Sequence, residues 1–415
     1  MRTVAVIGSG ISGLSAAYFL SRSYEVSLFE RDTRLGGHTH TVMVDSESGP
    51  IPVDTGFIVH NDRTYPNFCR LMRKLGIETQ PSDMSFAVTE RGGAFEYASH
   101  GLSGFFAQKR NLFSTRHYRL LGEILRFNRE APKILTDPDA ESMTLGEFLD
   151  AGGYAQVFID RYLIPMAGAV WSMAPEIMPQ FPAVTLIRFM RNHGMLGIDT
   201  HPKWKTIRGG SHAYLTPITA PFRERIEKDR EIESVERGER GVTLRFAGRP
   251  ARQFDEVVFA CHGDQVLPML ADPAGAECEL LRSFSTSRNE TCLHTDETFL
   301  PSRTGARASW NYLLGDSGRV TVTYHMNRLQ SLAAKENYCV TLNSNGAIDG
   351  RRVLRRMVYE HPLYTTAAVR AQGRWNEISG RNHTHFCGAY WLYGFHEDGV
   401  RSAIRVAEAL GVDCR

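Results

Sequence analysis

Residues 3–7 form a continuous apolar run, the pattern of a strand buried on both faces. From Ile11 to about Ser21, small and apolar residues recur at helical spacing. Residues 25–30, "EVSLFE", read as a second strand ending in a carboxylate. Far downstream, residues 232–261 alternate like a small antiparallel hairpin and finish in a buried strand, "EVVFAC". Period-two stretches in 84–98 and 305–343, such as "RVTVTYHM" and "NYCVTLNS", predict an antiparallel sheet. Residues 100–200 read as mainly helical, and "SMTLGEFLDAGG" begins like a capped helix. No internal repeat or low-complexity segment breaks this order.

Glycines give the first strand–helix junction its chemistry. Gly8, Gly10 and Gly13 make G-x-G-x-x-G between strand and helix. Gly8 permits the tight turn, Gly10 lets backbone approach a diphosphate, and Gly13 lets helix pack on strand. The helix amino terminus then offers free N–H groups and a positive dipole end. Glu30 follows Gly8 by 22 residues, the place of a carboxylate that accepts from ribose hydroxyls. It would repel a 2′-phosphate, which disfavours NADP. The glycine motif alone is weak; the order strand, turn, helix, strand, Glu gives it weight. A second pair, Gly36–Gly37, lets backbone pass close to another part of the same ligand, which a plain NAD domain does not need.

Composition narrows the class. At 415 residues two domains are the expectation. With 42% hydrophobic and 23% charged residues the chain is globular, and a net charge of +2 gives no argument for nucleic acid. Seven scattered cysteines, never C-x-x-C, argue for a reducing compartment. The opening "MRTVAVIGSG" is too short for a signal h-region, and no window of 18 apolar residues occurs. A cytoplasmic location is expected, and the sequons at Asn289 and Asn382 are then chance.

The glycine motif, Glu30 and Arg34–Gly37 together resemble the flavin-containing amine oxidoreductase superfamily, which includes monoamine oxidases, protoporphyrinogen oxidase and phytoene desaturases. The resemblance continues through "VDTGFIVHN" (53–61), "IRGGSHAYLTPI" (207–218), "FDEVVFACHGDQVLPML" (254–270) and "FCGAYWLYGFHEDGVRSAIRVA" (386–407). More narrowly, "LHTDETFLP", "SWNYL" and "GFHEDGV" are similar to a bacterial branch of NAD/FAD-binding proteins that travel with cyclopropane-fatty-acid-synthase-like methyltransferases.

That resemblance implies an α/β fold. A discontinuous Rossmann-type FAD domain would comprise 1–80, 205–275 and 368–415. An interleaved α+β substrate domain would comprise 81–204 and 276–367, with an antiparallel sheet and a helical part. It implies non-covalent FAD, because Cys387 does not match the position through which some relatives link flavin. Cofactor contacts would come from Gly8, Gly10, Ser12, Gly13, Glu30 and Arg31, then from Gly36, Gly37, His38 and Thr39. Gly56, Phe57, Ile58 and the backbone of Val235 would follow, with Gly388, Glu397, Asp398 and Val400 at the last helix. Backbone amides near His396 and Glu397 would stabilise charge developing on the reduced ring.

Three side chains are candidates for direct chemistry: His396, Tyr390 and Trp171, the last alternatively a core residue. The His38/His40 and His383/His385 pairs lack a Cys or carboxylate at ligand spacing, so no metal is expected. Residues 100–133 hold seven Lys or Arg against two Glu, a balance of +5, interleaved with Phe105, Phe106, Leu112, Phe113 and Tyr118. That pattern suits an anionic membrane surface, on the inner face, as well as an ordinary amphipathic helix. The leading expectation is an FAD-dependent oxidoreductase that removes hydride from an apolar substrate, such as a methylated fatty acyl chain. The alternatives are an amine oxidase releasing hydrogen peroxide and a flavin-binding protein with a non-catalytic role.

Overall fold

The computed structural model describes residues 1–47, 49–197, 200, 202–315 and 320–414. Arg319, which opens the stretch "RVTVTYHM", lies outside them. Thr3–Ile7 is a strand, Ile11–Leu20 a helix and Glu25–Phe29 a second strand. These two strands centre a five-stranded parallel sheet, in the order 226–227, 25–29, 3–7, 256–259, 384–386. Its inner strands are almost wholly buried, as their unbroken apolar runs require. The helix His396–Ala409 lies against Ile11–Leu20 so closely that a Cβ at Gly399 would stand 2.6 Å from Ile11 Cγ2.

The hairpin region is a three-stranded meander, Ile232–Gly238, Gly241–Phe246 and Arg249–Phe254. Phe246 packs on Phe29 at 5.2 Å between ring centroids and so fixes the meander to the parallel sheet.

A separate seven-stranded sheet runs in the order 353–362, 286–294, 339–342, 321–325, 310–314, 86–90, 96–98. It is mixed rather than purely antiparallel, since Trp310–Leu314 runs parallel to Phe86–Glu90. No hairpin joins those two strands; the chain between them passes through helices and the parallel sheet, and such a crossover permits parallel pairing. Of its longest strands, 353–362 is an edge whose charged residues, such as Arg355 and Arg356, mask alternation, while in the inner strand 286–294 Arg288 and Glu290 interrupt the apolar pattern.

The helical part over 100–200 includes Thr115–Glu130, Leu145–Gly152, Ile164–Trp171 and Ala183–Asn192. Thr144 caps Leu145–Gly152 in a reciprocal box with Glu147. Phe127, Phe158, Phe181 and Leu186 build a core here that continues onto Val88 and Val322 of the large sheet.

Candidate active site

The glycine turn is held by backbone geometry. Gly8 has φ +103°, and a Cβ there would stand 2.9 Å from Ala260 O. A Cβ at Gly13 would stand 1.9 Å from Gly8 O, so helix and turn are in direct backbone contact. Gly10 differs: a Cβ there meets no atom within 4 Å. It faces a cavity of about 1680 Å³, larger than a site for one small molecule.

The cavity wall gathers many of the residues singled out in the sequence. Gly8, Gly10, Ser12, Glu30 and Arg31 stand on it. So do Gly37, His38, Gly56, Phe57, Ile58 and Gly388, together with Tyr390 and His396. Glu30 Oε2 accepts from Ser9 N at 2.8 Å and Ser9 Oγ at 2.5 Å, and Oε1 accepts from Asp32 N at 2.8 Å. These donors aim the carboxylate from the end of the second strand into the wall.

Other expected contacts lie off the wall, each for a local reason. Gly13 and Gly36 serve turns: Gly36 donates to Ser9 O at 3.1 Å and accepts from Thr39 N at 2.9 Å. The Thr39 hydroxyl lies 3.1 Å from His396 Nε2 and also contacts the Tyr214 hydroxyl. Val235 is corrected: its carbonyl accepts from Ala271 N at 3.1 Å and its side chain is core, while Arg230 to Glu233 form the wall instead. Glu397 turns away from the cavity and accepts from Asn67 N at 3.0 Å and Phe68 N at 2.9 Å, capping the helix Pro66–Lys74. Asp398 accepts from Phe395 N at 3.0 Å, and Val400 is fully buried between helices.

Of the candidates for chemistry, Trp171 is a core residue. It packs on Phe181 and Phe189, each at 4.7 Å, and donates to Tyr393 O at 3.3 Å. Tyr390 packs edge-on against Phe284 at 4.7 Å, beside Gly388. His396 stacks on Phe57 at 3.6 Å and 13°. Burial first, then the neighbouring His60, pulls its pKa down to about 3, so the ring is neutral at physiological pH.

Arg34, His262 and His361, not named as candidates, also stand on the wall. His38 lies 5.0 Å from Tyr359 and 5.2 Å from His361, between ring centroids. Burial, then His361, holds His38 well below the usual imidazole range. Arg34 Nη1 and His38 Nε2 are buried without a hydrogen-bond partner among the described residues. Only their position in the fold shows this; in the sequence His262 and His361 are separated from His38 by hundreds of residues.

The wall changes character toward the helical part. Between Met84 and Gly197, and at Trp310 and Tyr324, the described lining contains no Asp, Glu, Lys or Arg. Phe86, Tyr97, Phe105, Ile124, Tyr162 and Met166 make it an apolar arm. His193 is its one imidazole, and burial brings its pKa down to about 4.

Such a two-part cavity, a glycine-lined dinucleotide end joined to an apolar arm, defines a nucleotide-cofactor enzyme. Residues 11–411 match the model of the flavin containing amine oxidoreductases, and the chain belongs to that family. It is an FAD-dependent oxidoreductase. A stretch of 43 residues, 10% of this chain and 8% of the other, is 54% identical to protoporphyrinogen oxidase 2 of Arabidopsis thaliana. Three solved structures share the fold. A putrescine oxidase variant matches with TM-score 0.72 at 14% identity, and a CLA-producing fatty acid isomerase from P. acnes with 0.72 at 13%. Cyclohexylamine oxidase from Brevibacterium oxydans matches with 0.69 at 15%, and each alignment covers 99% of both chains.

The residues present fit FAD. Gly10 leaves room for a diphosphate, Arg34 holds an unpartnered donor and His38 an unpartnered ring nitrogen on the wall, and Glu30 is oriented for a ribose. Among the described residues no group of three His, Cys, Asp or Glu side chains converges as a metal site would require.

Proposed function

We propose that the enzyme oxidises an uncharged, apolar stretch of a lipid-like substrate, with a fatty acyl chain as the best fit. The observation that carries this reading is the apolar arm, whose described lining holds no formal charge. Bound FAD supplies a hydride acceptor. The chain's own part is to bind the cofactor non-covalently, exclude water and align the substrate. The arm does this with aromatic and aliphatic walls that bury a chain along its length. An ammonium group entering the same arm would lose its hydration and meet no carboxylate, a penalty of several kcal/mol. That consideration sets amines behind acyl chains. The fold also houses a fatty acid isomerase, so acyl chemistry is compatible with it.

The test is anaerobic mixing of the FAD-loaded enzyme with either phospholipid-borne acyl chains or aliphatic amines. Loss of the oxidised flavin absorbance is expected with the lipid, with a more unsaturated acyl product in the mass spectrum. Bleaching by amines alone would overturn the reading.

A further inference from the structure

The apolar arm reaches the surface at an unusual place. Leu102 and Leu125 line the cavity, yet they are 69% and 46% exposed. Leu125 belongs to the helix Thr115–Glu130, where Tyr118, Leu121, Leu125 and Asn128 recur at spacings of three and four and so share one face. Leu121, Leu125 and Asn128 of that face line the cavity, while Tyr118 at its outer end is 50% exposed. Phe106 contacts Tyr118 at 5.5 Å and ties the short helix Gly101–Phe105, with Leu102, to the same edge. Phe113, just before the long helix, is 90% exposed, and Leu112 beside it is also exposed.

Buried contacts lie on the other side of the helix. His117, Leu120 and Phe127 point into the core, so the exposed apolar residues are surplus to packing. Among the described residues, five of the nine large hydrophobic side chains that stand exposed fall within residues 100–133, which concentrates the exposure instead of scattering it.

Charge identifies the occupant. Arg126 is engaged by Glu123 and Glu130, and Arg129 by Glu130. Lys109, Arg116, Arg119 and Lys133 are exposed and have no carboxylate partner among the described residues. Cations therefore flank the protruding Phe113 and Tyr118. An apolar patch ringed by unpaired cations is complementary to an anionic bilayer, with the rings at the acyl boundary and the cations at the head groups.

We infer that this face seats on an anionic lipid surface and that the arm opens onto it, so an acyl chain enters from the bilayer without crossing water. The route of entry rests on the apolar-substrate reading; the docking does not. The face is attached to the membrane by contact, for among the described residues no helix is long and apolar enough to cross one.

The experiment is flotation of FAD-loaded protein with vesicles of phosphatidylcholine alone or mixed with phosphatidylglycerol, without turnover. Binding to the mixed vesicles is expected, weakened by salt because the cations act through screened charge. Phe113→Asp and, separately, the pair Arg116→Glu and Arg119→Glu should each lower binding about tenfold or more, with flavin content unchanged. No wild-type binding at low salt would overturn the inference, as would equal binding by Phe113→Asp. Self-association abolished by Phe113→Asp, without vesicle binding, would assign the face to a second copy of the chain and also overturn it. Because binding is read without substrate, a wrong substrate assignment leaves this outcome untouched.

Discussion

At the scale of single residues, the glycines of one motif are not equivalent, and the difference is measurable. A methyl at Gly10 meets no protein atom within 4 Å, and the backbone there, at φ −64°, accepts a side chain. Gly10→Ala should leave the fold unaltered while placing a methyl where the diphosphate comes closest. FAD affinity is expected to fall about tenfold or more, a loss of about 1.4 kcal/mol or greater. Gly13→Ala would force a methyl to 1.9 Å from Gly8 O, which the turn must yield to accommodate. It should lower the melting temperature of the flavin-free protein as well as FAD retention. Fluorimetric FAD titration beside thermal melts of both variants separates the two effects. A Gly10→Ala protein that melts early yet keeps wild-type FAD affinity would contradict this division. His396 shows the same need for context. In the sequence it reads as a polar group poised for chemistry. In the fold it is a neutral ring stacked on Phe57 and positioned beside Thr39.

At the scale of elements, the meander and the helix Gly275–Leu281 are joined by a buried ion pair. Arg237 Nη1 and Nη2 donate to Glu277 at 2.5 and 2.9 Å, and their side chains are 2% and 3% exposed. Glu277 also accepts from Ala274 N at 2.8 Å, so one carboxylate caps the helix and pairs the strand. Glu277→Ala would leave the guanidinium with Asp272 as its remaining carboxylate, at 3.0 Å, and should cost about 1–3 kcal/mol. Denaturant titration reads that value, and a loss under about 1 kcal/mol would mean that water relieves the cation. The pair was invisible in the sequence because it is neither periodic nor local. The elements that could be read beforehand were those with a local rule. The strand–helix–strand unit of residues 3–29 follows from an apolar run and a glycine turn, and Leu145–Gly152 follows from its cap. Strands 286–294 and 353–362 obey no such rule, since charged residues mask their alternation, Arg288 and Glu290 in the inner strand and Arg355 and Arg356 on the edge. The candidate site divides likewise. Gly8, Gly10, Glu30 and Gly37 reach the cavity wall through turns written in adjacent residues. Glu397 and Asp398 do not, because carboxylates in a helix's first turn can serve either a ligand or nearby backbone donors. Here Asn67, Phe68 and Phe395 take them.

At the scale of the whole molecule, burial of ionisable groups makes stability depend on pH with a definite sign. Burial is the first cause for each of six depressed histidines. His40, His60, His193, His294 and His361 fall to about 4, and His396 to about 3. An unfolded chain would protonate them near 6.5. Between about 4 and 6.5 the unfolded state therefore binds more protons than the folded state, and stability rises with pH. Three carboxyls oppose this, Glu397 among them, its carboxyl pushed up by burial. Burial raises Asp54 to about 6 and Asp398 to about 7, so the folded state holds their protons longer and loses stability as pH rises from the unfolded carboxylate range. Asp54 keeps compensating donors, with Ser211 N at 2.8 Å and Gln330 Nε2 at 3.0 Å. Six imidazoles act against three carboxyls, so the net slope from about pH 4.5 to 6.5 is positive. Above about 6.5 the histidine contribution is complete while Asp398 still titrates, so the curve should level or dip slightly. Thermal melts of the FAD-loaded protein across pH 4.5 to 8 should show a melting temperature that climbs through the acid range and flattens near neutrality. A melting temperature that stayed level or fell from pH 4.5 to 6.5 would mean that these imidazoles are hydrated in the folded state. The closed, neutral interior around His38, His361 and His396 would then be wrong, and with it the reading of His396 as a ring with no proton to give.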